Sequence, residues 1–141
     1  MTEISTTIKP SETGVDFTGK KVFIIEDDVF LGKVLFQKVE ESKIIPKRFI
    51  TAEEAMEALK TETPDLILLD IFLPGINGLE ALKLMRQQEN SKNTPVIVVS
   101  NTDEAVHRET ALGLGAKFLI KAATTPDEII GHVFDALKAQ A

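Results

Sequence analysis

The sequence predicts an α/β protein whose parallel sheet is covered by helices on both faces. From Lys20 onward, short apolar segments alternate regularly with segments of helical periodicity. Three of the apolar segments contain no polar residue, as is typical of strands buried on both faces. The 141 residues suit one domain with an open sheet, because a closed eight-stranded barrel needs about 250 residues. Right-handed crossovers between parallel strands then produce three layers, α/β/α.

The first two strands are each followed by a predicted helix. The first strand covers Val22–Ile25, and apolar residues at helical spacing indicate a helix over Val29–Val39. The second strand, Arg48–Ile50, is short and only weakly apolar. Thr51 begins the next helix through a capping box, because Glu54 follows it by three residues.

The middle of the chain continues the alternation. The third strand is the fully apolar segment Leu66–Leu69. Asn77 is a good helix cap, and we expect a helix from Gly78 to about Gln88. The fourth strand, Pro95–Val99, is again almost entirely apolar. This part of the chain therefore adds a third strand, a third helix and a fourth strand.

The last strand lies between two predicted helices. The first of these begins at residue 102 or 103 and ends near the glycines at 113 and 115, which are typical helix stop signals. Phe118–Ile120 is the fifth strand. Thr125 and Glu128 form another capping box, with proline at the first helical position, so the fifth helix begins there.

Acidic side chains follow two of the predicted strands at the point where each strand ends. Glu26 and Asp27 follow the first strand, and Asp70 follows the third. Sites in open α/β sheets form beyond the carboxyl ends of the strands. If these strands are neighbours, the three carboxylates converge and repel one another unless a hard cation such as Mg²⁺ lies among them. A capping role alone would explain Asp28, but it would not explain Glu26 or Asp70.

Two other strands also end in polar groups. The fourth is followed by Ser100 and Asn101, and the fifth by Lys121. Singly, a serine in a turn and a lysine on a surface mean little. Together with the carboxylates they form a set suited to phosphate chemistry, in which a hydroxyl donates to an oxyanion and an ammonium neutralises charge.

With these residues assembled, the chain resembles the receiver domain of two-component response regulators over about residues 20–141. The resemblance lies in the segments VFIIEDD, DLILLDIFLPGINGLE, VIVVSN and GAKFLIKA. The spacing also matches, since 43 residues separate Asp27 from Asp70, 30 separate Asp70 from Ser100, and 51 separate Asp70 from Lys121. The resemblance implies a flavodoxin-like receiver fold with strand order 2-1-3-4-5, of the stand-alone, chemotaxis-like type.

The resemblance also assigns roles to the residues that follow the strands. Asp70 is then the phosphoacceptor, a carboxylate nucleophile. Glu26, Asp27 and Asp70 bind Mg²⁺, with Asp27 the more direct ligand, Glu26 acting through water, and the main-chain carbonyl of Phe72 contributing a further oxygen. Lys121 contacts the phosphoryl group.

Activation is expected to depend on two switch residues. By the same resemblance, Ser100 bonds the phosphoryl group and moves, and Phe118 occupies the aromatic switch position. Phe118 lacks the hydroxyl of a tyrosine. Ala122 stands where the family usually has a proline in a cis bond, so we expect Lys121–Ala122 to be trans, because a cis bond before a non-proline residue costs about 2.5–4 kcal/mol.

Composition limits the possible partners. A net charge of −6 argues against direct nucleic-acid binding, and no apolar segment is long enough to span a membrane. The resemblance implies a non-enzymatic cytoplasmic protein that receives phosphate from a sensor histidine kinase or phosphotransfer protein. Its output to an unknown protein target would pass through the fourth helix, fifth strand and fifth helix, about residues 103–138. The protein would be a monomer or a phosphorylation-dependent homodimer.

Several alternatives remain open. Residues 1–19 are rich in Ser and Thr and are expected to form a flexible tail before the receiver domain at 20–141. One alternative is a pseudo-receiver that binds partners without phosphate, and another is the excised receiver of a larger regulator. A phosphatase of the haloacid dehalogenase type is disfavoured, because that family needs a second aspartate where this chain has Phe72.

Overall fold

The computed structural model describes residues 16–140 and contains one five-stranded parallel sheet. The strand order is β2-β1-β3-β4-β5, which confirms the predicted order and the three-layer fold class. The strands are β1 Lys21–Ile25, β2 Ile45–Phe49, β3 Leu66–Leu69, β4 Val96–Ser100 and β5 Lys117–Ile120.

In the described part of the chain, five α-helices cover the two faces of the sheet. They are α1 Val29–Glu41, α2 Ala52–Leu59, α3 Gly78–Met85, α4 Ala105–Gly113 and α5 Pro126–Lys138. One buried apolar cluster lies under α2, α3 and α4, and a second lies under α1 and α5. Within residues 16–140, no helix combines the length and the apolar character needed to cross a membrane.

The sheet register brings the ends of β1 and β3 together. Ile25 pairs with Leu69 in the parallel ladder, so the next residues on each strand, Glu26 and Asp70, lie at the same level. The Asp70 amide donates to the Ile25 carbonyl at 3.0 Å, and the Glu26 amide donates to the Phe49 carbonyl at 3.0 Å. The carboxyl ends of three strands are thereby fixed beneath the loops that follow them.

Helix caps agree with the sequence at three of the predicted positions. Thr51 and Thr125 form capping boxes, and the Asn77 side chain accepts a hydrogen bond from the Glu80 amide. The prediction of a helix beginning at residue 102 or 103 is wrong, because α4 begins at Ala105. The Thr102 hydroxyl accepts from the Glu104 amide at 3.1 Å and so orders the turn before the helix.

Two element boundaries also differ from the prediction. Strand β2 covers Ile45–Phe49, earlier than the predicted 48–50. It includes Pro46, which an edge strand tolerates because one side of the strand has no partner in the ladder. Helix α3 ends at Met85, three residues before the predicted Gln88, and the backbone continues as turns.

One residue of the segment that precedes β1, Phe17, is buried. Phe17 is only 1% exposed, and its ring stacks on that of Phe134 with centroids 5.4 Å apart. The Gly19 amide donates to the Lys43 carbonyl. Phe17 is therefore packed against α5, whereas residues 16, 18 and 19 are exposed, and the flexible tail stays a prediction. The other residues of the predicted tail, 1–15, lie outside the described part of the chain.

Candidate functional site

Three carboxylates meet where β1 and β3 end. Glu26, Asp27 and Asp70, here called the acidic cluster, each place one oxygen within 4.8 Å of the others. Glu26 and Asp70 are 3% and 4% exposed, whereas Asp27 faces solvent. Buried carboxylates are costly unless charge or hydrogen bonds compensate them. The cluster therefore needs a cation beside it.

Lys121, which follows the edge strand β5, supplies a positive charge to the acidic cluster. Its Nζ lies 2.9 Å from Glu26 Oε1 and 3.1 Å from Asp70 Oδ2. It begins the 3₁₀ turn Lys121–Ala123 that follows β5, and β5 lies two strands away from β3. Every peptide bond in residues 16–140 is trans, including Lys121–Ala122, as predicted. The long lysine side chain spans the intervening strand and joins the two buried carboxylates.

The environment shifts the pKa of both members of this ion pair. The pKa of Glu26 is raised to about 7, mainly by burial and also by the charge of Asp70, although the hydrogen bond from Lys121 lowers it. Burial alone would lower the pKa of Lys121, but the hydrogen bonds and charges of Glu26 and Asp70 outweigh it, so that pKa is raised. The ammonium thus stays charged beside carboxylates that repel each other.

The acidic residues of the loop after β1 have different roles. Asp28 is the N-cap of α1, because its Oδ1 accepts from the Leu31 amide at 2.9 Å. The Asp28 amide in turn donates to Glu26 Oε2 at 3.1 Å. Asp28 therefore has the capping role considered from the sequence, and the acidic cluster consists of the other two acids of this loop with Asp70.

The loop after β3 holds Asp70 against the start of α3. The Phe72 amide donates to Asp70 Oδ1 at 3.3 Å. The Gly78 amide donates to the Ile71 carbonyl at 2.8 Å, which draws the first turn of α3 onto the loop. A β-carbon at position 78 would collide with the Asp70 carbonyl group and would lie 2.9 Å from its carbon. Glycine is required there by close backbone approach, a need that the sequence analysis missed.

The two predicted switch residues lie inside the domain. Ser100 is fully buried at the end of β4, and its hydroxyl accepts a hydrogen bond from the Thr102 amide at 3.2 Å. Phe118 is 8% exposed, and the guanidinium carbon of Arg108 lies 5.1 Å from its ring centroid. Such a cation–π contact favours the inward position of the ring. Nothing in the sequence marked Arg108 as a partner of Phe118.

Arg48 is another residue whose role was not predicted from the sequence. It lies on β2, and its guanidinium donates to the main-chain carbonyls of Glu26 and Asp28. The only hint in the sequence is Gly32, an unusual residue in the interior of a helix. The need for glycine at this position follows only from the packing of β2 against α1 in the folded protein.

The donor set of the acidic cluster fits a hard divalent cation. The acidic cluster offers three carboxylate oxygens at the carboxyl ends of the strands, and one of its carboxylates is open to water. This arrangement matches Mg²⁺, which binds oxygen ligands and retains several waters. Softer metals favour sulfur or imidazole ligands, and the cluster contains neither. The fold and the site together define a small α/β module with a cluster of charged side chains at the carboxyl ends of its strands.

Comparison with known proteins identifies the family. The sequence profile described as the response regulator receiver domain matches residues 22–134. The transcriptional regulatory protein PhoP of alkaline phosphatase synthesis in Bacillus subtilis is 31% identical over 114 residues, covering 81% of this chain and 47% of PhoP. The phosphate regulon regulatory protein PhoB of Rhizobium meliloti is 29% identical over 108 residues, covering 76% and 48%. The chain spans about half the length of these relatives.

Solved structures agree with the sequence comparison. The receiver domain of Francisella response regulator 1452 has a TM-score of 0.78 at 29% identity, covering 87% of this chain and all of that one. The BeF3-activated N-terminal receiver domain of Klebsiella pneumoniae RstA has a TM-score of 0.74 at 25% identity, covering 84% and 98%. The chain belongs to the response regulator receiver domain family. This family is a signalling module of two-component systems.

Proposed function

We propose that the protein signals by accepting a phosphoryl group on Asp70 in a Mg²⁺-dependent reaction. The observation that carries the proposal is the ion pair of Asp70 with Lys121, formed beside two further carboxylates of the acidic cluster. A buried carboxylate with a lysine on one side and a cation-binding cluster on the other suits attack on a charged phosphoryl group.

The proposed step is a direct transfer of the phosphoryl group from an oxygen or nitrogen atom of the donor to Asp70. A carboxylate oxygen of Asp70 forms a bond to phosphorus, while the bond from phosphorus to the donor breaks and the leaving group keeps its electron pair. Lys121 already touches Asp70 Oδ2, so its ammonium lies close to the charge that arrives with the phosphoryl group. The hydrogen bond from the Phe72 amide orients the other carboxylate oxygen.

Glu26, Asp27, Asp70 and the main-chain carbonyl of Phe72 would hold Mg²⁺. When bound, the ion neutralises negative charge on the phosphoryl oxygens and on the carboxylates. Lys121 then shifts from neutralising the acids to contacting the phosphoryl group. The hydroxyl of Ser100 would turn from Thr102 toward the phosphoryl group, and Phe118 would respond at the surface formed by α4, β5 and α5.

The donor is expected to be a sensor histidine kinase or a phosphotransfer protein of the cytoplasm. The named relatives are transcriptional regulators, and the chain matches about half of each. A net charge of −6 supports output to a protein target and not direct contact with nucleic acid. The receiver would act as a monomer or as a homodimer formed after phosphorylation.

The test is intact-mass spectrometry after incubation with acetyl phosphate and Mg²⁺. We expect a mass increase of one phosphoryl group that is lost in base and absent in Asp70→Asn, because an amide is a far poorer nucleophile. Lys121→Ala should reduce the adduct while the protein remains folded. If the wild type shows no mass increase with any phosphodonor, the proposal fails, and the chain is a receiver fold that binds partners without phosphate. An adduct that persists in Asp70→Asn would move the acceptor elsewhere.

A further inference from the structure

The loop that carries the first two acids is held by an arginine from the neighbouring strand. Arg48 Nε and Nη2 donate to the Glu26 carbonyl at 3.2 and 3.0 Å, and Nη2 also donates to the Asp28 carbonyl at 3.3 Å. One planar guanidinium thus binds the main chain on both sides of Asp27. Such a rigid fork fixes direction as well as distance.

A missing side chain in α1 makes room for this contact. A β-carbon on Gly32 would lie 2.5 Å from Arg48 Cζ and 2.8 Å from Nη2, well inside contact distance. Glycine in the interior of a helix costs stability relative to alanine. The Gly32 amide still makes its helical bond to the Asp28 carbonyl at 2.9 Å, so the helix is regular there. The absence of a side chain at position 32 therefore leaves space for the guanidinium.

We propose that Arg48 is a positioning residue for the acidic cluster. Gly32 is needed because its lack of a side chain leaves room for the Arg48 guanidinium. The inference rests on the proposed function in that the cluster is taken to bind Mg²⁺. Within residues 16–140 the Asp27 side chain has no hydrogen-bond partner, so its direction depends on its backbone. Without Arg48, repulsion among the three carboxylates would open the loop. With Arg48, the backbone is preorganised and less ordering is needed when the ion binds.

The first experiment measures the Mg²⁺ dissociation constant of the full chain by calorimetry, with thermal melting of the metal-free protein alongside. Arg48→Ala should weaken binding about tenfold or more, as expected for a residue that orients metal ligands. Arg48→Lys should recover only part of the loss, because one ammonium cannot bridge the two carbonyls as a fork does. An unchanged dissociation constant in a folded Arg48→Ala variant would overturn the proposal and leave Arg48 a structural residue.

The second experiment is a double-mutant cycle with Gly32→Ala. The new methyl group should displace the guanidinium and weaken Mg²⁺ binding much as Arg48→Ala does. In the Arg48→Ala background the same change should have little further effect, because the space is empty. Gly113→Ala is the matched control: a β-carbon there meets nothing within 4 Å, and Mg²⁺ binding should be unchanged. Effects that simply multiply in the double mutant would overturn the coupling between the two positions.

This inference and the proposed function can fail separately. If the chain takes no phosphoryl group on Asp70 but binds Mg²⁺ in an Arg48-dependent way, the positioning role stands and the phosphoacceptor function falls. If the chain is phosphorylated and Arg48→Ala binds Mg²⁺ as well as the wild type, the function stands and the positioning role falls. A wild type that binds no Mg²⁺ would overturn the positioning role, whatever the phosphorylation result.

Discussion

The three carboxylates of the acidic cluster differ in burial and in their contact with Lys121. Glu26 and Asp70 are buried and both contact Lys121, whereas Asp27 faces solvent. The ammonium leaves the cluster with an excess of negative charge. A divalent cation would remove that excess, and the open carboxylate of Asp27 is the residue that it can reach first.

At the residue scale, the prediction is that Mg²⁺ stabilises the wild type through Asp27. Binding to the folded state alone adds about 2.7 kcal/mol at a concentration of 100 times the dissociation constant. Asp27→Asn should abolish that gain in thermal melting and stabilise the metal-free protein slightly by relieving repulsion. Asp135→Asn, the same change at an exposed position on α5, should keep the full gain. An equal Mg²⁺ response in Asp27→Asn would place the ion elsewhere.

At the scale of elements, helix α3 and the loop after β3 form one unit. Asn77 caps the helix, and the Gly78 amide bonds back to the Ile71 carbonyl. The first helical turn therefore lies directly against the backbone of Asp70. The position of the candidate phosphoacceptor depends on this close approach as much as on the strand that precedes it.

Gly78→Ala should accordingly disturb both stability and the site. The methyl group would be forced against the Asp70 carbonyl, which is backbone and cannot turn aside. Overpacking of this kind costs about 1–3 kcal/mol of unfolding free energy, measurable by urea denaturation. Labelling of Asp70 by acetyl phosphate should fall at the same time. Gly113→Ala serves again as the control, and equal behaviour of the two variants would contradict the argument.

At the scale of the whole molecule, the second buried cluster includes Phe17, which precedes β1. Phe17 packs against Phe134 of α5 in the layer that also contains α1. Helix α5 in turn carries part of the proposed output surface. The Phe17 side chain is thus part of the domain core.

Phe17→Ala should be strongly destabilising for this reason. Removing a buried phenylalanine typically costs about 3–5 kcal/mol, which urea denaturation would detect as a large fall in the midpoint. Phe30→Ala is the matched control, because Phe30 is 76% exposed and its loss should change stability by no more than about 0.5 kcal/mol. Similar effects of the two substitutions would contradict the packing of Phe17 in the core.

Local sequence was sufficient for much of the fold. Strands β1, β3 and β4 could be found because both of their faces are buried, so their apolar character appears in consecutive residues. Two capping boxes could be found because they depend on residues only three positions apart. Edge strand β2 was misplaced, since its burial is partial and its pattern weak.

The sequence by itself determined which residues follow the strands, and so it determined which chemical groups are present at the carboxyl ends of the sheet. Only the tertiary structure decided how those residues are held. The contact of Lys121 with Glu26 spans 95 residues, and the contacts of Arg48 and Phe17 join elements that no local pattern connects. Periodicity reports whether a side chain is buried, because burial follows from the repeat of one element. The choice of partner depends on where two elements meet, and that is fixed only when the whole sheet has assembled.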